Sequence, residues 1–324
     1  MNNLEKLIAE TNKSFGRSII GYAKDMDVEV KRISSGSLYL DWALGGGFPL
    51  GRIVEIFGPY SSGKTLISLK TIIEAQKAGL PCVYVDAEQS FEPKSAAFLG
   101  VDIDKLILVQ TSLGEDIFDF IRDLFETQET GVLVIDSVAA LVPNYEEAND
   151  MEKQSMGLAA RLMSKGLRII NSSNKGWLVI FVNQIREKIG VMYGNPETTT
   201  GGRALGFYAS VRVKVNIGEK YKEDEKQIGQ EVKFRIEKSK VCMPYRIGSF
   251  KFMYESGIDR IDEMLTLGLE LKMAEQAGAW YTLLGDRFQG KDAIVTKLKE
   301  DRTYFDKFEK ALKVKINESN KSIR

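Results

Sequence analysis

The chain has 324 residues, enough for two or three domains of ordinary size, and a hydrophobic fraction of 44% that suffices for a real core. Lys plus Arg number 45 and Asp plus Glu 45, so a surface for a polyanion must be local rather than global. Histidine is absent, which excludes Ser-His-Asp and Cys-His catalysis, imidazole zinc sites and histidine general bases and leaves acid–base work to carboxylates and lysines.

No run of 18 apolar residues occurs, and the opening MNNLEKLIAETNK lacks the apolar centre of a signal peptide. Cys82 and Cys242 lie far apart without metal-ligand spacing, so a cytoplasmic protein with reduced thiols is expected. Residues 1–24 read as a short helix over 4–11 followed by FGRSIIGY, a segment too small to fold alone and expected to pack on another body. From about Val28 to Ile258, apolar runs alternate with helical stretches, the pattern of a mostly parallel sheet covered by helices. The clearest strands are 53–57, 83–85, 132–135 and 178–182, each nearly continuous in apolar residues, as strands buried on both faces should be. GEKYKEDEKQIG, 218–229, reads as a charged solvent loop between strands. From about Arg260 the texture changes: 261–278 look helical, WYTLLGDRFQG looks like a small hairpin, and 291–314 look helical again. The expected division is therefore an N-terminal oligomerisation segment (1–27), an α/β ATPase core (28–259) and a small C-terminal α+β domain (260–324).

Gly58-Pro59-Tyr60-Ser61-Ser62-Gly63-Lys64-Thr65, followed by Leu66, matches the phosphate-loop pattern. The strand IVEIF precedes it, an apolar-periodic helix over 65–78 follows, and Gly79 stops that helix; an ordinary tight turn needs neither flank. In such a loop the backbone N–H groups face a β-phosphate at a helix N-terminus, where the dipole favours anions. Lys64 should reach the β- and γ-phosphates of ATP, and the Thr65 hydroxyl should bind Mg²⁺.

Three further strands end in polar residues: VYVDAE at Asp86 and Glu88, VLVIDS at Asp136 and Ser137, VIFVNQ at Asn183 and Gln184. Ligands of open α/β sheets bind beyond the carboxyl ends of the strands, so these sets can converge on the phosphate loop. Asp136 fits the acid that holds Mg²⁺ through water, Glu88 the base that orients the attacking water, and Gln184 a sensor of the γ-phosphate. For each taken singly, a strand-end polar cap is the plain alternative.

After Gln184 comes IREKIGVMYGNPETTTGG, 185–202, with Arg186, Lys188 and the apolar tips Ile189 and Met192. Long loops inside compact domains are usually functional; cations, amides and apolar tips suit single-stranded nucleic acid, and an active-site lid fits the composition as well. The helix LAARLMSKGLR sets Arg161, Lys165 and Arg168 near one face, as a nucleic-acid contact or as a solvated face. The segment 145–157 before it is acidic and would not be chosen for DNA on charge.

GPYSSGKT, IDSVAALVP, MGLAARLMS and above all FVNQIREKIGVMYGNPETTTGGRALGFYASVRV resemble the bacterial RecA recombinase family, from about Phe15 to the end of the Trp280 hairpin. The segment 181–213 is far more specific than the phosphate motif. The resemblance implies an α/β P-loop ATPase core, filaments on single-stranded DNA, pairing with homologous double-stranded DNA, and ATP with Mg²⁺ held between neighbouring subunits. It further implies that Lys238 and Lys240 reach the neighbour's γ-phosphate, a device worth about 10³–10⁵ in rate elsewhere. It places Met156 and Ile189 between stacked base triplets and Arg161, Ser164, Arg168, Gly201, Gly202 and Arg203 along the DNA backbone. The N-terminal helix with Ser18, Ile19 and Ile20 would dock on the adjacent subunit, Phe207 would couple ATP to the DNA loop there, and Glu92 and Tyr254 would contact the base. Loader proteins or a single-strand-binding protein are the further partners it implies.

Departures from the family bear on nucleotide affinity and base selectivity: Tyr60 stands where Glu is usual, Leu66 replaces a second Thr, and Ser95 replaces a Tyr packing on adenine. Residues 307–324 carry six Lys/Arg against two Asp/Glu, where many relatives end acidic, so autoinhibition by an acidic tail is not expected. Such divergence would suit a viral or plasmid-borne member. Two alternatives stay open: a helicase or related ATPase without strand exchange, and a non-catalytic mediator, from which loss of Lys64, Glu88 or Asp136 would be expected.

Overall fold

The computed structural model describes residues 2–16, 19–23, 30–147, 157–187 and 197–321, which divide into two units, Met1–Lys31 and Arg32–Arg324. In the first, α1 (Asn3–Phe15) starts at a capping box: the Glu5 amide donates to the Asn2 side chain, and the Glu5 carboxylate accepts the Asn2 amide, both at 2.8 Å. Left-handed Gly16 ends it, later than the expected 4–11. The Asn12 side chain then folds the chain back, accepting the amides of Ile19 (2.7 Å) and Ile20 (3.0 Å) and donating to the Ile20 carbonyl (2.8 Å). Leu4, Leu7, Phe15, Ile19 and Ile20 are exposed.

The second unit begins with β1 (Arg32–Ile33), α2 (Leu38–Ala43) and β2 (Phe48–Pro49), the two strands paired antiparallel. Then come β3 (Ile53–Gly58), α3 (Lys64–Lys77), β4 (Cys82–Asp86), α4 (Pro93–Phe98), β5 (Leu106–Val109), α5 (Gly114–Glu126), β6 (Val132–Asp136), α6 (Asn144–Glu147), α7 (Leu158–Ser173) and β7 (Leu178–Glu187). These are followed by β8 (Glu197–Thr199), α8 (Ala204–Tyr208), β9 (Val211–Glu223), β10 (Lys226–Ser239), β11 (Ile247–Met253) and β12 (Gly257–Ile258). The chain closes with α9 (Arg260–Glu270), β13 (Ala274–Ala277), β14 (Trp280–Leu283), β15 (Asp286–Gln289), α10 (Lys291–Glu300) and α11 (Arg302–Lys321).

The main sheet runs β12-β11-β10-β9-β3-β7-β6-β4-β5, with β8 paired to β7. From β9 to β5 neighbours are parallel; β10, β11 and β12 continue it antiparallel. The four strands expected from sequence are its buried centre, and their residues alternate between two cores. Val54, Ile56, Val134 and Ile180 pack with α2, α3 and α9; Ile53, Val83, Ile135 and Phe181 pack with α5, α7 and α8. The core of α9–α11, with Met264, Phe308 and Leu312, is continuous with that of Leu40, Phe234 and Phe250.

Two segments differ from their sequence reading. Residues 218–229 are not a loop: β9 and β10 run through them, pairing Tyr221 with Gly229 and Glu223 with Lys226 around left-handed Asp224. Dense charge reports exposure, and an exposed two-stranded ribbon satisfies its backbone groups as well as a buried one. Residues 274–277 are strand rather than helix: α9 stops at left-handed Lys272, and Ala274–Ala277 pair with Leu283–Trp280 across left-handed Gly278.

Where β1 leads into α2, the half-buried Asp41 carboxylate accepts the hydroxyls of Ser34 (2.5 Å) and Ser35 (2.7 Å) and the Ser35 amide (2.7 Å). Burial nonetheless outweighs these bonds and pushes its carboxyl from 3.8 up to about 6. The folded chain therefore holds this proton where the unfolded chain has lost it. The associated stability, about 3 kcal/mol, is present below the unfolded value and is lost as pH rises through about 6. Asp41→Asn should flatten this part of the profile; melting temperatures of both proteins across that window check it, and parallel curves would remove Asp41 from the account.

Candidate active site and nucleic-acid interface

The phosphate loop leaves β3 at Gly58, where a Cβ would lie 2.0 Å from the Val215 carbonyl oxygen, so no other residue fits. It turns through left-handed Ser61 and Gly63 into α3, whose first amides have no intrahelical partners. Lys64 is buried and donates to the Pro59 carbonyl at 2.6 Å. Burial lowers its pKa, while the carboxylates of Asp136 and Glu88 oppose that shift. The Ser62 hydroxyl is buried with no partner among the described residues, an open donor inside the loop.

The Asp136 carboxylate accepts the hydroxyls of Thr65 (2.7 Å) and Tyr84 (2.8 Å). Burial raises its pKa; the two hydroxyls oppose this, Glu88 adds to it and Lys64 counters it. Hard oxygen donors from two elements, one of them at the start of the phosphate loop's helix, suit Mg²⁺. The residues present fit that ion: Thr65 by its hydroxyl and Asp136 by its carboxylate. Glu88 is exposed beside them and accepts the Ser137 hydroxyl and, at 3.2 Å, the Gln184 side-chain amide. Sheet register brings these residues together, with Gly58 opposite Gln184 and Asp86 opposite Asp136. Asp86 itself is used structurally, accepting the amides of Ser90 (3.0 Å) and Phe91 (2.9 Å).

Glu92 caps α4, accepting the amides of Lys94 (3.1 Å) and Ser95 (2.5 Å). Tyr254, half-exposed after β11, is fixed by Gln227, which donates to its hydroxyl at 2.5 Å. Leu99 just beyond α4 and Ser256 just beyond Tyr254 line one cavity of about 500 Å³ with Lys70. Pro59, Tyr60 and Thr65 are exposed, Tyr60 at 86%, and Leu66 is half-buried.

On α7, Leu162, Met163, Gly166, Leu167 and Ile170 face inward, and Gly166 admits the Phe118 ring where a Cβ would collide at 2.4 Å. Arg161, Lys165 and Arg168 are exposed on the other side, while the half-buried Ser164 donates to the Ala160 carbonyl at 2.8 Å. The ends of 185–202 are not loop: Ile185, Arg186 and Glu187 pair with Thr199, Thr198 and Glu197. Left-handed Gly201 and Gly202 then settle against α7, a Cβ on the first meeting Val138 at 2.8 Å and on the second Ala160 at 3.1 Å. The two candidate DNA segments are thus neighbours, with Arg186 and Arg203 exposed beside them. Ser18, Met156, Lys188 and Ile189 lie outside the described residues.

Phe207 on α8 is 72% exposed. Lys238 donates to the carbonyls of Gly206 (2.7 Å) and Phe207 (2.9 Å); burial lowers its pKa, and Lys240 and Arg212 lower it further. Lys240 is exposed.

Sequence reasoning missed Tyr84 and Ser137 as partners of the carboxylates, and it missed Glu55 altogether. Glu55 is fully buried, with Arg212 donating at 2.5 Å and Asn183 at 2.9 Å. The signal that could have found it was a lone charge inside the apolar strand IVEIF. From this geometry, Lys64→Ala should weaken nucleotide binding by about 100-fold or more, since it removes the one buried cation at the loop. Titration with a fluorescent ATP analogue measures this, and unchanged affinity would dismiss the site.

A family model for the RecA N-terminal domain matches residues 2–259. The chain is also similar to Protein RecA of Ectopseudomonas oleovorans, 44% identical over 318 residues that cover 97% of this chain and 91% of that protein.

Proposed function

The chain belongs to the RecA family, and we propose on that premise how it works as a DNA-dependent ATPase that assembles on single-stranded DNA, pairs it with homologous duplex and exchanges strands. What supports the reading most is one cluster at the strand ends: the phosphate loop, Thr65 with Asp136, and Glu88 joined to Gln184.

ATP binds in this reading with its phosphates on residues 58–66 and its base toward Glu92 and Tyr254. Thr65 and Asp136 would hold Mg²⁺, which would supply charge neutralisation at the phosphates. Lys64 exchanges the Pro59 carbonyl for phosphate oxygens. Glu88 orients the attacking water, and Gln184 moves from Glu88 to the γ-phosphate, which biases the 185–202 segment it opens. Lys238 and Lys240 serve the site of the adjacent subunit. DNA follows Arg161, Ser164, Arg168, Arg186, Lys188 and 201–203, with Met156 and Ile189 between bases. Ser18, Ile19, Ile20 and Phe207 meet the neighbouring subunit in a helical filament. Residues 1–27, 28–259 and 260–324 act as oligomerisation segment, ATPase core and small C-terminal domain. Loader proteins and a single-strand-binding protein are proposed partners. Among the described residues no helix is long and apolar enough to cross a membrane. Two free thiols and a DNA substrate fit the cytoplasm.

Strand invasion of a homologous supercoiled duplex with ATP, run beside ATPase assays with and without single strands, tests this reading. Translocation on forked DNA without joint molecules would replace it with a helicase. Arg161→Ala with Arg168→Ala should weaken DNA binding and lower the slope of log affinity against log salt by about 0.7 for each phosphate no longer neutralised. An unchanged slope would take these residues off the DNA.

A further inference from the structure

Lys238 stands opposite Arg212 on β9, and Arg212 stands opposite Glu55 on β3, while Gln184 stands opposite Gly58. The nucleotide cluster and the Phe207–Lys238 corner therefore occupy opposite rims of one sheet. Glu55 sits between them, on the face covered by α5, α7 and α8. Its carboxylate is wholly buried: one oxygen accepts the Arg212 Nε–H (2.5 Å), the other the Asn183 side-chain amide (2.9 Å). Asn183, also wholly buried, gives its second amide hydrogen to the Thr200 carbonyl (3.0 Å) and accepts the Gln184 backbone amide (2.9 Å). Reversing the Asn183 amide would set its oxygen against a carboxylate and a carbonyl, so the Glu55 charge fixes that orientation and with it the backbone of Gln184. On the other side, the Arg212 guanidinium lies 4.5 Å from the Phe57 ring centre and beside Gly206, whose carbonyl Lys238 holds. Arg212 also lines two cavities, of about 180 and 300 Å³, so it has room to leave Glu55 without displacing core side chains.

We propose that Glu55 is a positioning residue that couples the two rims: through Asn183 it sets Gln184 and the Thr200 end of the DNA segment, and through Arg212 it sets the Gly206–Phe207 turn. A buried ion pair of this kind is weak evidence for stability, and neutralising both partners costs less than removing one, which leaves the other charge buried and unpaired. Coupling, by contrast, needs the charges themselves. The proposal rests on the nucleotide and DNA reading above.

The test compares Glu55→Gln, Arg212→Met and the double variant with the wild-type chain. Hydrogen exchange over 197–208, with and without a non-hydrolysable ATP analogue, reads coupling in the absence of DNA. Single-strand stimulation of the ATPase reads it in the presence of DNA. Glu55→Gln should lose the analogue-dependent change in exchange and about tenfold of the DNA stimulation, while analogue affinity stays within about twofold. The double variant should regain melting temperature but not coupling. Exchange in Glu55→Gln that responds to the analogue as wild type does, or a double variant that regains stability and stimulation together, overturns the proposal. A wild-type chain without DNA stimulation sinks the recombinase reading instead, and the exchange comparison then judges Glu55 alone.

Discussion

Glu88→Gln should hydrolyse ATP about 10²–10⁴ times more slowly than the wild type while binding ATP and single-stranded DNA as well or better. Glutamine is isosteric, so the Ser137 hydroxyl and the Gln184 amide keep an acceptor at the same place. What disappears is the negative charge. A water between that oxygen and the γ-phosphate then lacks the acceptor that draws its proton. The charge has two further effects, both smaller: it raises the Asp136 pKa and it raises the Lys64 pKa against burial. Its removal therefore favours the ionised form of Asp136, whose charge still opposes the effect of burial on Lys64, so Mg²⁺ and phosphate binding should be preserved. With the γ-phosphate retained, Gln184 stays engaged and the variant should leave DNA slowly. Single-turnover hydrolysis measures the first effect and fluorescence anisotropy on a labelled single strand the second. Turnover near the wild-type rate would remove Glu88 as the base; slow turnover together with lost ATP binding would make it structural.

The phosphate loop between β3 and α3 is readable because it depends on contiguous residues whose backbone geometry the motif itself dictates. Glu88, Asp136 and Gln184 are readable for a different reason: each ends an apolar strand, and parallel topology alone carries strand ends to one rim. Glu55 is not, since its partners Asn183 and Arg212 lie 128 and 157 positions away and only register brings them together. Charge density misleads at 218–229, because it measures exposure and an exposed ribbon is still strand. Helical periodicity misleads at 274–277, where pairing with the following strand outweighs local preference. The two candidate DNA segments are recognised separately, and nothing in either indicates that Gly201 and Gly202 seat one upon the other.

Topology also sharpens what Lys238 and Lys240 can do. β10 runs antiparallel to β9, and Ser239 stands opposite Val211 and so level with Val54, near the start of β3. These lysines therefore emerge at the rim opposite their own phosphate loop, which leaves β3 at Gly58. They can serve a γ-phosphate only in a neighbouring subunit, or none. Lys238→Ala combined with Lys240→Ala should lower DNA-stimulated hydrolysis by about 10³–10⁵, the worth of cations supplied in trans. Loss of rate alone does not establish the trans arrangement, because Lys238 also braces its own Gly206 and Phe207 carbonyls. Mixing does. A Glu88→Gln subunit still carries both lysines, and the lysine variant still carries Glu88, so an interface with the former as donor and the latter as acceptor is whole. In a random equimolar filament about a quarter of interfaces are of that kind, so two nearly inactive proteins should together reach about a quarter of the wild-type rate. A mixture no faster than the sum of its parts would mean that the lysines act within their own chain or not at all.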